Sequence, residues 1–496
     1  MNDTVYDAVP YPGHPHAETH PNRIGAIARL FGLDAPPVAT ARILEVACGD
    51  GGNLIPMACS LPRAELVGFD LAPTAIGRAK ARVEKLGLGN VRLEVADLTA
   101  LDTPLGEFDY IVAHGLYSWV PEAVREALFS CLRDTLALNG VAFVSYNVYP
   151  GWYAPRMVRE MLRYHTRGLV EPQARIAQAR ALLDFLAASC DPSDAYGRTL
   201  AEECARMAKH APPHFFHDDL ADVNAPVHFH EFIDHARCFS LDFLAEADFA
   251  TMAGKELAES VRAKLDELRG DPVAHGQYLD FVAGRRFRET LLRRAEAPAA
   301  PSPVAGAVRS LSLASPAVAD GPLDLAPGVE VQFRSTGRTS LKTDHPLAKA
   351  ALDALGESWP GAMTFEALLG GACARLGRAP RAVDGDALEH VLVGAFGLRM
   401  VELLVEPFAC TAKPSEHPRA SALARLEAEE GDTVTGFHHR RARIDEPCSL
   451  ALLRLLDGTH DRAGLGAALG RVGHTLAPEA LEARLSGFAR LGLLEA

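Results

Sequence analysis

Three carboxylates and a cluster of glycines fall where a nucleotide-like ligand could be held. Arg42-Ile43-Leu44-Glu45-Val46-Ala47-Cys48-Gly49-Asp50-Gly51-Gly52-Asn53 reads as a buried strand running straight into a glycine-rich turn that opens a helix. Glycine permits positive φ and lets the backbone approach a ligand, and the helix start offers unpaired amides at a positive dipole end. The next strand, Glu65-Leu66-Val67-Gly68-Phe69-Asp70, ends on a carboxylate at about the spacing that meets ribose hydroxyls in βαβ units. Glu45 closes the first strand, where it can meet an ammonium group and would repel a pyrophosphate. Asp97, in Val95-Ala96-Asp97-Leu98, closes the third. Singly each is an ordinary cap or loop residue; at successive strand ends they form a constellation.

The elements that must position these groups follow an α/β rhythm. Val91–Val95, Tyr110–Ala113 and Val141–Ser145 continue the strands, and Pro73–Leu86 and Pro121–Leu138 have helical spacing with proline in the first turn. A doubly wound, Rossmann-like sheet is expected. From Tyr153 to about Lys209 the pattern becomes helical, an inserted lid. Glu231–Phe239 then reads as a helix and Leu241–Glu246 and Arg286–Leu292 as strands that complete the sheet. The first domain is therefore expected to span residues 1–294, with an insertion over 153–284. The Ala/Pro/Ser-dense stretch 295–325 reads as a linker, and 326–496 as an α+β region of winged-helix-like modules.

The turn admits two readings. Ala47-x-Gly49-x-x-Gly52 is a relaxed dinucleotide fingerprint, and Glu45-x-Ala47-x-Gly49-x-Gly51 is the pattern of class I methyltransferases that bind S-adenosylmethionine. Glu45, Asp97 and the aromatic segment His114-Gly115-Leu116-Tyr117-Ser118-Trp119-Val120-Pro121 favour the second. Together with Thr19-His20-Pro21, Ser145-Tyr146-Asn147-Val148-Tyr149-Pro150-Gly151-Trp152 and Gly284-Arg285-Arg286-Phe287-Arg288-Glu289-Thr290-Leu291-Leu292, these pieces make the chain resemble a family. It is that of bacterial class I methyltransferases with a methyltransferase regulatory domain, which contains the rickettsial outer-membrane-protein lysine methyltransferases. Alanine replaces the commoner glycine at Ala47. The resemblance implies methyl transfer from S-adenosylmethionine, with protein lysines as the best-known acceptors. Cofactor contacts are expected from Glu45, Ala47, Gly49, Asp50, Gly51, Asn53, Asp70, Leu71, Asp97, Leu98 and His114. An apolar aromatic channel would keep an acceptor amine neutral and stabilise its methylated cation. Tyr117, Trp119, Tyr146, Tyr149 and Trp152 are the candidates for that wall.

Other segments carry weaker signals. Tyr6, Tyr11 and His20 are expected to cap the cofactor, and His214, Phe215, Phe216 and His217 to tip the lid. His228, His230 and His235 lack the carboxylate pattern of a metal site, and none is assigned. The 496 residues carry a formal charge of −14, which disfavours nucleic acid and suits a basic peptide or other cationic acceptor. Nine cysteines without a paired motif fit a reducing cytoplasm, and no segment reads as a membrane span. Three functions follow: methylation of lysine in a protein or peptide, methylation of a small molecule, or a non-catalytic S-adenosylmethionine-sensing interaction protein. A homodimer is compatible with each.

Overall fold

The computed structural model describes residues 9, 11–101, 105–254, 257–335 and 339–496. Arg42–Val46 (β1) and Phe108–Ala113 (β4) are buried at almost every position, so both faces are covered. They lie at the centre of a seven-stranded sheet with Glu65–Asp70 (β2), Val91–Val95 (β3), Leu136–Asn147 (β5), Leu241–Glu246 (β6) and Phe287–Arg294 (β7). The order is β3-β2-β1-β4-β5-β7-β6. β1 to β5 run parallel, and β7 runs antiparallel between β5 and β6. The chain moves outward from β1 to β3 and then returns to β4. That reversal opens a crevice beyond the carboxyl ends of β1 and β4, where ligands of doubly wound sheets bind. The connecting helices have readable limits: Pro73–Leu86 starts on proline and stops at Gly87, whose φ of 65° is the left-handed conformation of a helix end.

The closing hairpin is held by one buried cation. Arg288, on β7, donates to Asp280 at 2.8 Å and to Glu246 at 2.6 Å, with its guanidinium 3.5 Å from the centre of the Phe229 ring. Its carboxylate partners and the ring together replace the water it has lost. The same Glu246 accepts from the hydroxyl of Thr290, which bonds the hydroxyl of Tyr146 at 2.8 Å.

That bond corrects the expected aromatic wall. Tyr146 is 1% exposed and stacks on Phe232 at 3.8 Å. Tyr117 is also buried, and its hydroxyl pairs with His235 at 3.0 Å. Both point into the core under the sheet because Phe129 and the helix Phe229–Cys238 pack against that face.

The segment expected as a linker is also part of the structure. Ser312–Ala314 is the central strand of a three-stranded sheet, between Met363–Thr364 and Glu402–Leu404. Leu311 and Leu313 are buried in the core that runs from residues of the helix Pro21–Leu30 to Val405. Small residues around those leucines leave the backbone free to pair, and composition alone hid the strand. Three helices, Pro346–Ser358, Phe365–Arg375 and Ala382–Phe396, accompany this sheet. A last unit combines Ala422–Glu430, the hairpin Thr433–Gly436 and Arg440–Arg443, and helices Pro447–Leu455, Arg462–Arg471 and Pro478–Arg490 around its own core. Neither unit hangs free: Asn22 exchanges hydrogen bonds with Glu406 at 2.7 and 2.9 Å, Arg23 pairs with Glu402 at 2.6 Å, and Arg82 pairs with Glu427 of the last unit at 2.9 Å. All nine cysteines carry free thiols. No helix among the described residues is long and apolar enough to cross a membrane.

Residues 11–16 pass over the glycine turn. A Cβ on Gly52 would lie 2.2 Å from the backbone of Gly13, so only glycine lets the two backbones cross. Gly52→Ala should therefore displace this strap, read as increased proteolysis near residue 13 and weaker cofactor binding with little change in melting temperature. Tyr146→Phe, which removes the bond to Thr290, should cost about 1 kcal/mol in denaturant unfolding. Cofactor affinity should not change.

Candidate active site

A cavity of about 530 Å³ occupies the crevice at the sheet's switch point. It is lined by Glu45, Ala47, Gly49, Asp50, Asn53, Asp70, Leu71, Asp97, Leu98, His114 and Trp119, all expected from sequence. Gly51 does not reach it: with φ 74° and its missing Cβ 2.8 Å from Ile55, this residue shapes the turn from behind. Ala47 has φ 58°, a left-handed conformation that costs a residue with a Cβ about 1 kcal/mol. The turn is thus formed with an alanine where glycine is easiest. A Cβ on Gly49, φ 55°, would meet nothing within 4 Å, so its face is open to the cavity.

Each carboxylate has a distinct setting. Asp70 fastens the turn by accepting from the Gly49 amide at 2.9 Å and the Ala72 amide at 2.8 Å. Asp97 is exposed at the cavity edge and accepts from Thr99 through its amide at 2.8 Å and its hydroxyl at 2.7 Å, which holds its carboxyl below the usual range. Glu45 is buried. One of its oxygens accepts from Asn53 Nδ2 at 2.7 Å, and the other is buried without a partner. Burial pushes its carboxyl up to about 8; the Asn53 bond opposes this, and Asp50 and Asp70 add to it. A buried acid that lines a cavity and keeps one oxygen without a partner is suited to a cationic ligand group.

The opposite side is built by the strap and the insertion. Tyr11, Pro12, Gly13, His14 and His16 line the cavity, as do His217 and Asp218. His217 anchors the strap through the Val9 carbonyl at 2.6 Å, and Tyr11 packs edge-on against His214 and His217 at 5.0 and 5.6 Å. The His16 and His114 rings lie 3.7 Å apart. Burial lowers both, His114 to about 4, so neither ring is charged at neutral pH. Asp218 makes no hydrogen bond or ion pair among the described residues, and burial beside Asp219 pushes its carboxyl up to about 7.

Several expected residues lie elsewhere. Of the five aromatics proposed for the wall, Trp119 alone lines the cavity. Trp152 meets it edge-on at 6.3 Å from behind, and Tyr149 stacks on Tyr153 at 4.3 Å while accepting from Arg156 at 2.7 Å. Tyr149 sits beyond the strand end because the chain turns away there into the helix Tyr153–Thr166. Phe215 and Phe216 are buried in the insertion's own core. His20 caps the helix Pro21–Leu30 and bonds Ser60 rather than lining the cavity, and Tyr6 falls outside the described residues. His230 bonds Gln277, and His235 bonds Tyr117 and Glu126. A second hollow of about 660 Å³, on the outer side of the insertion near Tyr153, Met157 and Leu186, contains none of the glycine-turn residues. Sequence reasoning missed Asp218, whose placement depends on a π-helical turn over Phe215–Asp219 that leaves no periodic signal.

The fit to S-adenosylmethionine rests on the bare Glu45 oxygen, the open face at Gly49 and carboxylates at three strand ends. Comparison with known proteins agrees. Residues 43–140 match a methyltransferase domain, 212–294 a predicted methyltransferase regulatory domain, and 416–472 the C-terminal winged helix domain of PKMT proteins. The uncharacterised protein RP789 of Rickettsia prowazekii is 32% identical over 482 residues, covering 94% of this chain and 86% of that protein. A second protein of that organism, RP028, is 37% identical over 237 residues, covering 48% of this chain and 95% of its own length. The structure of PKMT2 from Rickettsia typhi superposes with a TM-score of 0.85 at 26% identity, over 98% of this chain and all of that one. The same protein in complex with AdoHcy gives 0.86. With its cradle, its sheet order and its two appended regions accounted for, the chain belongs to the bacterial class I S-adenosylmethionine-dependent methyltransferases that carry a regulatory domain and a C-terminal winged helix.

Proposed function

We propose that this enzyme is a cytoplasmic N-methyltransferase acting on lysine side chains of a protein or peptide. The observation that carries this reading is the lining of the cavity, which brings Trp119 and Tyr11 together with Asp218, a carboxylate without a hydrogen bond or ion pair among the described residues. A long alkyl chain ending in an amine matches that combination. The likeness to PKMT2, the negative charge of the chain and the winged helix, a surface suited to a folded acceptor, support it.

When bound, S-adenosylmethionine supplies a methyl group on a positively charged sulfur that is already electrophilic. Glu45 and Asn53 would hold its ammonium, Asp70 its ribose, and Asp97 with Leu71 and Leu98 its adenine. No acid–base triad is needed; the protein has to align the partners and exclude water. Asp218, when ionised, draws in a cationic amine. Trp119, Tyr11 and the neutral His16–His114 pair then favour its uncharged form by withholding solvent.

Three outcomes test the proposal. Incubation of purified enzyme and a cell lysate with isotopically labelled cofactor, followed by mass spectrometry, should place label on protein lysines; label confined to small molecules would overturn it. Asp218→Asn should raise the acceptor KM roughly tenfold with unchanged cofactor affinity, as expected for a lost charge-assisted contact. It should also flatten the fall in acceptor KM as pH rises through about 7. Glu45 is mostly protonated below about 8 in the free enzyme, whereas a bound ammonium favours its ionised form. Cofactor binding should therefore release a proton, and affinity should increase as pH rises towards about 8. Calorimetry in buffers of different ionisation enthalpy measures this release, and Glu45→Gln should abolish it.

A further inference from the structure

The hairpin Thr433–Gly436 and Arg440–Arg443 pairs Gly436 with Arg440, leaving Phe437, His438 and His439 as a three-residue loop. The last residue of such a loop adopts the left-handed conformation and is commonly glycine. Here it is His439, with φ 57°, its amide donating to the Gly436 carbonyl at 2.9 Å. A histidine at this place carries a backbone cost that glycine would not. Its side chain does not turn out to water: His439 is 1% exposed, with Nε2 2.8 Å from Asn53 Oδ1.

We infer that His439 is a positioning residue for the cofactor cradle, through which the C-terminal module sets the affinity of the catalytic domain for its cofactor. Asn53 Oδ1 accepts, so Nε2 of His439 carries the proton. The His16 amide at 2.9 Å and the Thr19 hydroxyl at 3.1 Å converge on the same oxygen. These donors fix which way the Asn53 amide faces. Its Nδ2 is thereby directed at Glu45 Oε1 at 2.7 Å, and the second Glu45 oxygen is left for the ligand. A rotated Asn53 would set its own oxygen against the carboxyl and use up that arrangement. The loop is firmly seated: the His438 carbonyl accepts from Arg23 at 3.0 Å, its ring reaches the Pro360 carbonyl at 2.9 Å, and Arg440 pairs with Glu402 at 3.1 Å.

The inference rests on Glu45 being the cofactor's cation partner, and two amide variants of the full-length chain separate it from simple packing. His439→Asn suits the left-handed backbone, so folding is preserved, but its amide is too short to reach Asn53. His439→Gln places an amide nitrogen about as far from the backbone as imidazole Nε2. Binding of S-adenosylhomocysteine, measured by calorimetry, should weaken roughly tenfold in His439→Asn, the effect of one buried hydrogen bond, and recover in His439→Gln. In an Asn53→Ala background the difference between the two should vanish. Equal binding by both variants, whether like wild type or equally weakened, would overturn the inference, as would a difference that persists without Asn53. Failure of the wild-type protein to bind S-adenosylhomocysteine would instead refute the site itself.

Discussion

The arrangement turns on burying one carboxylate among others. Glu45 stands at the end of a central strand with Asp50 and Asp70 near enough to raise its proton affinity, and only one of its oxygens is satisfied within the protein. A buried acid in that state needs a donor on one side and a cation on the other. Asn53 supplies the donor. Because Asn53 begins the helix Leu54–Ser60, its backbone is placed by the glycine turn, while its side chain is placed by partners from outside the sheet. Strap, turn and C-terminal hairpin meet at this amide.

The far side of the sheet plays a different part. Arg288, Asp280 and Glu246 form a buried charge cluster that ties the regulatory region to β5, and Tyr146 joins it through Thr290. Tyr117, Phe129 and Phe232 fill the space beside it. These aromatics form a packed support beneath the crevice, and the crevice itself is closed by connections pinned by specific bonds, such as that from His217 to Val9.

Local signals made the catalytic sheet legible. Strand and glycine turn lie within about a dozen residues from Arg42 to Asn53, with the helix following at once, and Asp70 and Asp97 mark the next strand ends. The helix Pro73–Leu86 was readable to both ends for the same reason, from its proline and the following glycine. Side-chain direction was harder. Tyr146 and Tyr149 lie three residues apart, yet one enters the core and the other reaches the surface, because β5 ends between them. Composition misled over 295–325, where two buried leucines outweigh the surrounding alanine, proline and serine. Asp218 depends on an irregular helical turn, and His439 on a contact between residues 386 positions apart, which no pattern along the chain can express.

That last separation has a consequence for synthesis. The residues that first suggest a cofactor site leave the ribosome well before the hairpin that completes the cradle, since His439 follows Asn53 by 386 positions. Domains generally fold as they emerge, amino-terminal first. The sheet can form on schedule with Asn53 still held from only one side, so the nascent methyltransferase passes through a stage in which its fold precedes its full grip on cofactor. Methyl transfer at full strength is thereby reserved for chains whose carboxyl-terminal module has been made and seated.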